Sequence, residues 1–189
     1  VGLIGLGAGT LASYGRAGDV YRVYEINPQV FDFADSEFSF LKDSPAQIER
    51  VLGDARLALE REAPQRFDVL TVDAFSGDSV PIHLITAEAM QVYLRHMQPE
   101  GIIAFHVTNR FLNLAPVVEK IALTQGLHVA FVHDEAEDSD LRRTDWILVS
   151  RSAQRMQVAQ INSASSPVPQ IPGLRLWTDD FNNLFGVLK

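Results

Sequence analysis

The chain has 189 residues and no cysteine, 47% of it hydrophobic and 21% charged; that is enough apolar material for one domain with its own core, and it excludes disulfides and thiolate metal sites. The formal net charge of −8 argues against nonspecific binding to nucleic acid or to an anionic membrane, and it suits a cationic small molecule. No apolar run reaches the length of a membrane span and no signal peptide is visible, so this segment itself is expected to make no membrane contact.

In chain order, VGLI opens as a strand near 1–4, followed by a glycine-rich turn and a helix over 10–16. A strand near 20–26 and a helix over 28–34 come next, then a strand near 48–52 and a helix over 54–62. The run 67–73 is a fourth strand, 84–97 a helix, 101–107 a strand and 114–125 a helix. Short runs rich in Val, Ile and Leu between helices mark buried parallel strands in βαβ units. The last two runs, LHVAFVHD and DWILVS, are separated by the acidic stretch EAEDSDLRRT, where no helix fits. They are expected to pair near 127–133 and 145–150 as an antiparallel hairpin at the sheet edge, with Glu135, Glu137, Asp138 and Asp140 in a solvated loop. The fold class is therefore α/β, Rossmann-like, of the class I methyltransferase type. It is a mostly parallel seven-stranded sheet ending in an antiparallel C-terminal hairpin. One domain is expected over 1–189, with a Ser/Pro-rich, linker-like stretch at 162–173 before a short closing segment. The opening at Val1, already inside a strand, predicts an N-terminal portion ahead of it. Location is expected to be cytoplasmic, as a free protein or as the cytosolic domain of a membrane protein.

Gly5, Gly7 and Gly9 follow the first strand. Without Cβ atoms they let a ligand lie against main chain, and the following helix adds amide donors. Twenty residues after Gly5, Glu25 ends the second strand, where a carboxylate accepts from ribose hydroxyls. Together these point to an adenosine-containing ligand. Thr10 stands where a dinucleotide fingerprint wants a third glycine, which leaves a dinucleotide-dependent oxidoreductase as a distant alternative. Asp54, past the third strand, is placed to accept from an adenine amino group beside the Ala55 backbone. It is equally a favoured N-cap for the helix that follows, and the two roles coexist. Asp73 closes the fourth strand and Asp78 follows in its loop; two carboxylates there suit an ammonium group and its proton. The bland reading is that Asp73 caps loop backbone and Asp78 is a turn residue. Thr86 is read as the cap of the next helix. His106 and Asn109 either line an acceptor pocket or bond local backbone. Asp179 and Asp180 are read as caps of the last short helix, and closure over the cleft is the alternative. The histidines 83, 96, 128 and 133 show no metal-ligand spacing, so no metal is expected. Ser76 lacks the flanking glycines of a nucleophile elbow.

The motifs GLGAGT, YEINP, GDAR, FDVLTVDAFSGD, PEGIIAFHVTNR and WTDD, in this order, resemble the spermidine synthase (polyamine aminopropyltransferase) family. The resemblance runs over most of the chain. It is nearest the divergent branch found fused behind transporter-like membrane segments. It implies that decarboxylated S-adenosylmethionine, or S-adenosylmethionine, lies over the glycine loop as donor substrate. Glu25 would hold the ribose, Asp54 and Ala55 the adenine, and Asp73 an amine such as putrescine; a homodimer is among the allowed assemblies. Two departures stand out. The family's acid within the glycine loop, which binds the donor's aminopropyl ammonium, is Ala8 here, and the family's N-terminal β-domain is not in this chain. An S-adenosylmethionine-dependent methyltransferase, and a non-catalytic nucleoside-binding domain of a larger membrane protein, remain as alternative functions.

Overall fold

A computed structural model of the chain describes residues 1–74, 81–134 and 143–189. The strands are β1 (Gly2–Ile4), β2 (Val20–Glu25), β3 (Gln47–Leu52), β4 (Phe67–Val72), β5 (Met97–His106), β6 (His128–Asp134), β7 (Thr144–Ser150) and β8 (Ser165–Ser166). They form one sheet in the order β3-β2-β1-β4-β5-β7-β6-β8. Neighbours from β3 to β5 run parallel, while β7 is antiparallel to both β5 and β6. This is the expected class I methyltransferase arrangement with its closing hairpin, extended by β8, a two-residue eighth strand on the outer edge of β6. Strand order reverses at β1 and β4, so the crevice outside their carboxyl ends is the topological switch point, where open α/β sheets place ligands.

The helices are α1 (Pro28–Glu37), α2 (Phe40–Asp43), α3 (Ala55–Arg61), α4 (Ala87–Arg95), α5 (Ala115–Thr124), α6 (Ala153–Met156) and α7 (Ala159–Ala164). Alternate strand residues feed two cores, because successive side chains point to opposite sheet faces. Leu3 and Val23 join Phe31 and Ala34 of α1 and Leu41 of α2 on one face. Ile4, Tyr24, Leu70, Val72, Phe105 and Ile147 join α3, α4 and α5 on the other. Both faces of the parallel half are thereby covered, which explains its continuous apolar runs.

Several expectations change. The glycine loop leads not into an α-helix over 10–16 but into one 3-10 turn, Thr10–Tyr14. Gly15 ends it in extended backbone, at a position where a Cβ would sit 2.7 Å from the Ala46 Cβ. Such a short turn carries little helix dipole toward the loop. The helix expected over 84–97 is split into a 3-10 turn, Ile82–Leu84, and α4, because Thr86 adopts extended backbone and caps α4 with its hydroxyl on the Ala89 amide. β5 begins at Met97 rather than 101, with a register shift against β4 between Phe67 and Val69. The short elements α2, α6, α7 and β8 were not read from the sequence. The Ser/Pro-rich stretch 162–173 begins inside α7, and its Val168 and Ile171 pack against the larger core. Among the described residues, no helix is long and apolar enough to cross a membrane.

His96 is fully buried between α3, α4 and β4. Its Nε2 donates to the Leu59 carbonyl at 2.8 Å and its Nδ1 accepts from the Gln65 amide, so the ring is neutral in the folded state. Burial pushes its pKa below the ordinary 6.5. The unfolded chain therefore binds a proton that the folded chain refuses. Stability rises with pH across this window and falls as pH drops below about 6.5. We expect His96→Gln to flatten that part of the stability–pH curve, at an overall loss of about 2 kcal/mol for the disrupted buried bonds. Urea melts of both proteins at pH 5 and pH 7.5 check this.

Candidate functional site at the glycine loop

The loop after β1 turns on three glycines with φ of +91°, +55° and +83° at Gly5, Gly7 and Gly9. Gly5 is the one with no alternative. A Cβ there would lie within van der Waals overlap of the Asp73 carbonyl oxygen and 2.8 Å from the Asp73 carbonyl carbon. The loop is thus pressed against the end of β4. The Asp73 amide completes the contact by donating to the Ile4 carbonyl at 2.8 Å. Glu25 closes the other side: Oε2 accepts from the Leu6 amide at 3.1 Å and Oε1 from the Asn27 amide at 2.9 Å. The structure therefore brings Gly5, Glu25 and Asp73 together. In this state Glu25 holds the loop's own backbone, and each of its oxygens retains a lone pair for a further donor.

At the end of β4 the Asp73 carboxylate meets His106 of β5, Oδ1 to Nδ1 at 2.7 Å. An ionised carboxylate only accepts, so Nδ1 carries the hydrogen. The His106 ring stacks on Trp146 of β7, centroids 4.7 Å apart at 20°; the β5–β7 register sets these two residues opposite each other. Asp73 is therefore held through its backbone by β1 and through its side chain by a braced imidazole. Sequence reading placed His106 at this edge, but Trp146 was missed. Only the antiparallel register of β7, a long-range property, aligns them. Asn109 takes the bland option for its side chain, whose oxygen accepts from the Phe111 and Leu112 amides.

Asp54 both caps α3, with Oδ1 on the Leu57 amide at 2.8 Å, and meets His83, Oδ2 to Nε2 at 2.7 Å. Burial pushes its carboxyl up, yet the Leu57 amide and the imidazole outweigh this and hold it below the ordinary carboxylate range. Ala55, the first residue of α3, is buried. Asp179 and Asp180 do not cap the last short helix; Asn183 does, for the 3-10 turn Leu184–Val187. Asp179 instead forms a two-pronged pair with Arg56. A buried cation drew it away from the nearer helix end. Arg56 stands in the quoted GDAR motif, but nothing local distinguishes it from a solvated arginine. Asp78, Ser76 and the acidic run Glu135, Glu137, Asp138 and Asp140 lie outside the described residues. Among the described residues, no three His, Asp or Glu side chains converge as a metal site. His83, His96 and His133 bond to Asp54, to the Leu59 carbonyl and Gln65 amide, and to Asp145.

No family model matches the chain. A curated polyamine aminopropyltransferase of Vibrio vulnificus (strain CMCP6) is 32% identical over 117 residues, which cover 58% of this chain and 36% of that protein. Over that stretch the chain resembles the spermidine synthase (polyamine aminopropyltransferase) family. It spans about a third of the length of the relative it matches. Solved structures agree on the fold. A probable spermidine synthase from Corynebacterium glutamicum aligns with TM-score 0.61 and 18% identity, over 93% of this chain and 74% of that one. Spermidine synthase from Thermotoga maritima gives 0.58 and 13%, over 95% and 62%. An O-methyltransferase from Bacillus cereus, in complex with SAH, gives 0.53 and 17%, over 78% and 71%.

Proposed function

We propose that this domain transfers an aminopropyl group from decarboxylated S-adenosylmethionine to a small amine such as putrescine. The observation that carries the reading is Asp73: a carboxylate fixed against the glycine loop, with one oxygen engaged by His106. The donor's adenosine would lie over Gly5, Gly7 and Gly9. Its ribose hydroxyls would donate to Glu25, and its adenine amino group to Asp54, beside Ala55. The amine would donate to the Asp73 Oδ2 atom. Its nitrogen lone pair attacks the propyl carbon bonded to sulfur. The carbon–sulfur bond breaks, its electrons neutralise the sulfonium, and methylthioadenosine leaves. The proton shed by the new secondary ammonium passes to Asp73. Catalysis in this scheme is mainly alignment of two cationic partners in an anionic crevice. The match to an aminopropyltransferase supports the reading.

One observation favours methyl transfer instead. With Ala8 in the loop, the donor's terminal ammonium loses a carboxylate partner, and the carboxylate of intact S-adenosylmethionine meets no repulsion there. Side-by-side calorimetric titration with decarboxylated S-adenosylmethionine, S-adenosylmethionine and methylthioadenosine separates the two. We expect the decarboxylated donor to bind at least about tenfold more tightly than S-adenosylmethionine, a difference of about 1.4 kcal/mol, and methylthioadenosine to be released when putrescine is added. Preference for S-adenosylmethionine would move the assignment to methyl transfer. Binding of none would remove the nucleoside site altogether.

A further inference from the structure

Arg56 follows the residue assigned to the adenine, yet its side chain points away from the loop and is only 11% exposed. Every nitrogen of its guanidinium is used. Nε donates to Glu60 at 3.0 Å, and Nη1 donates to the His83 carbonyl at 2.8 Å. Nη1 and Nη2 clasp the Asp179 carboxylate at 2.7 and 2.5 Å. Asp179 also accepts from the Thr86 hydroxyl at 2.8 Å, and its amide donates to Glu88. The segment carrying Asp179 is anchored by Trp177, which is buried in the larger core and whose carbonyl accepts from the Ala87 amide. One cation thus joins three stretches of chain that lie up to 123 residues apart. All three meet at the rim beside Asp54.

His83 is the link to that rim. Its side chain is 51% exposed, and a cavity of about 460 Å3 opens beside it, lined also by Arg56, Leu57, Thr86, Asp179 and Asn182. Packing therefore does little to fix the ring. Its position depends on the Asp54 contact at one end and on the Arg56 grip on its carbonyl at the other. A buried ion pair is by itself weak evidence for stability, since apolar replacements are often neutral. A role in geometry accounts better for a guanidinium with every nitrogen engaged.

We propose that the C-terminal segment Trp177–Asp180 positions the donor-binding rim. Asp179 orients Arg56, Arg56 holds His83, and His83 sets the Asp54 carboxylate for the base of the nucleoside donor. This rests on the assignment of Asp54 to the adenine made above. With His83 on Oδ2 and the Leu57 amide on Oδ1, each oxygen keeps one lone pair. The adenine amino group then joins a carboxylate already turned toward it, and no ordering is required on binding. Asp179 and Arg56 act through Asp54 and are positioning residues.

The test is calorimetric titration of methylthioadenosine into the wild-type protein, Asp179→Asn, Arg56→Lys, Asp54→Asn, the double variant of Asp54 and Asp179, and Asp35→Asn. Arg56→Lys keeps a charge but loses the two-pronged fork, so it remains informative if Asp179→Asn folds poorly. Asp35→Asn breaks the exposed pair with Arg50, a pair that shares no bond with Asp54, His83, Arg56 or Asp179. Circular dichroism fixes a temperature at which each tested variant is folded. We expect Asp179→Asn and Arg56→Lys to weaken binding about tenfold and Asp35→Asn to leave it unchanged. We expect Asp179→Asn to add little once Asp54 is already Asn, the non-additivity of residues acting as one unit. Unchanged affinity in both hub variants, or fully additive losses in the double variant, would overturn the positioning role while leaving the nucleoside site intact. Absence of binding by the wild-type protein would instead overturn the nucleoside site, and this role with it.

Discussion

Asp73→Asn should lower turnover by about three orders of magnitude, the scale of a lost acid–base group, and leave the affinity for methylthioadenosine unchanged. The asparagine oxygen can still accept from His106 Nδ1, so the shape of the strand end is retained. What disappears is the negative charge that, in the proposed reaction, would face the attacking amine and take its proton. The loss should fall on kcat and on the KM for the amine, and not on donor binding, because in the proposed arrangement the donor's nucleoside would meet Glu25, Asp54 and the loop backbone. Release of methylthioadenosine, followed by chromatography at saturating donor, gives the first number, and calorimetry gives the second. Turnover within about tenfold of wild type would place the chemistry on another group.

Gly5→Ala should be the most damaging single methyl in the chain. Its backbone sits at φ +91°, and the new Cβ would overlap the Asp73 carbonyl, which is backbone and cannot rotate away. Left-handed strain and overpacking together predict a loss of about 3 kcal/mol or more. Relief would require β1 and β4 to separate at their carboxyl ends, so nucleoside binding should go with it. Gly7→Ala is the internal control. It too has a positive φ, +55°, but nothing lies within 4 Å of its Cβ position. Strain alone, about 1–2 kcal/mol, should remain. Urea melts of the two variants, with methylthioadenosine titrations, separate crowding from strain. Equal destabilisation by both would mean that the contact between loop and strand is looser than described here.

Alternating apolar runs made the strands legible, because burial on both faces demands them whatever the partner strand. The caps were legible for a local reason: Asp54 and Thr86 satisfy amides three residues ahead, a distance that sequence spacing reports directly. The extended helix over 84–97 failed by the same logic, since a Thr cap in mid-run is also a stop signal. The short helices α2, α6 and α7 were missed, because elements of one or two turns are held by tertiary packing more than by propensity.

The site divided along the same line. Three glycines after a strand, and Glu25, Asp54 and Asp73 at or just beyond three strand ends, follow from a rule of open α/β sheets, so the sequence by itself placed these residues at the carboxyl ends of their strands. It also carried the resemblance to the spermidine synthase family, through motifs that keep their order. Only the tertiary structure decided what those residues touch. Pairing of β5 with β7 stacked Trp146 on His106, strand order pressed Gly5 against Asp73, and chain return from the far end brought Asp179 to Arg56. Each of these contacts joins residues 40 to more than 100 positions apart. A guanidinium removed from water must find an acceptor wherever the fold supplies one, and the neighbouring sequence carries no trace of where that will be.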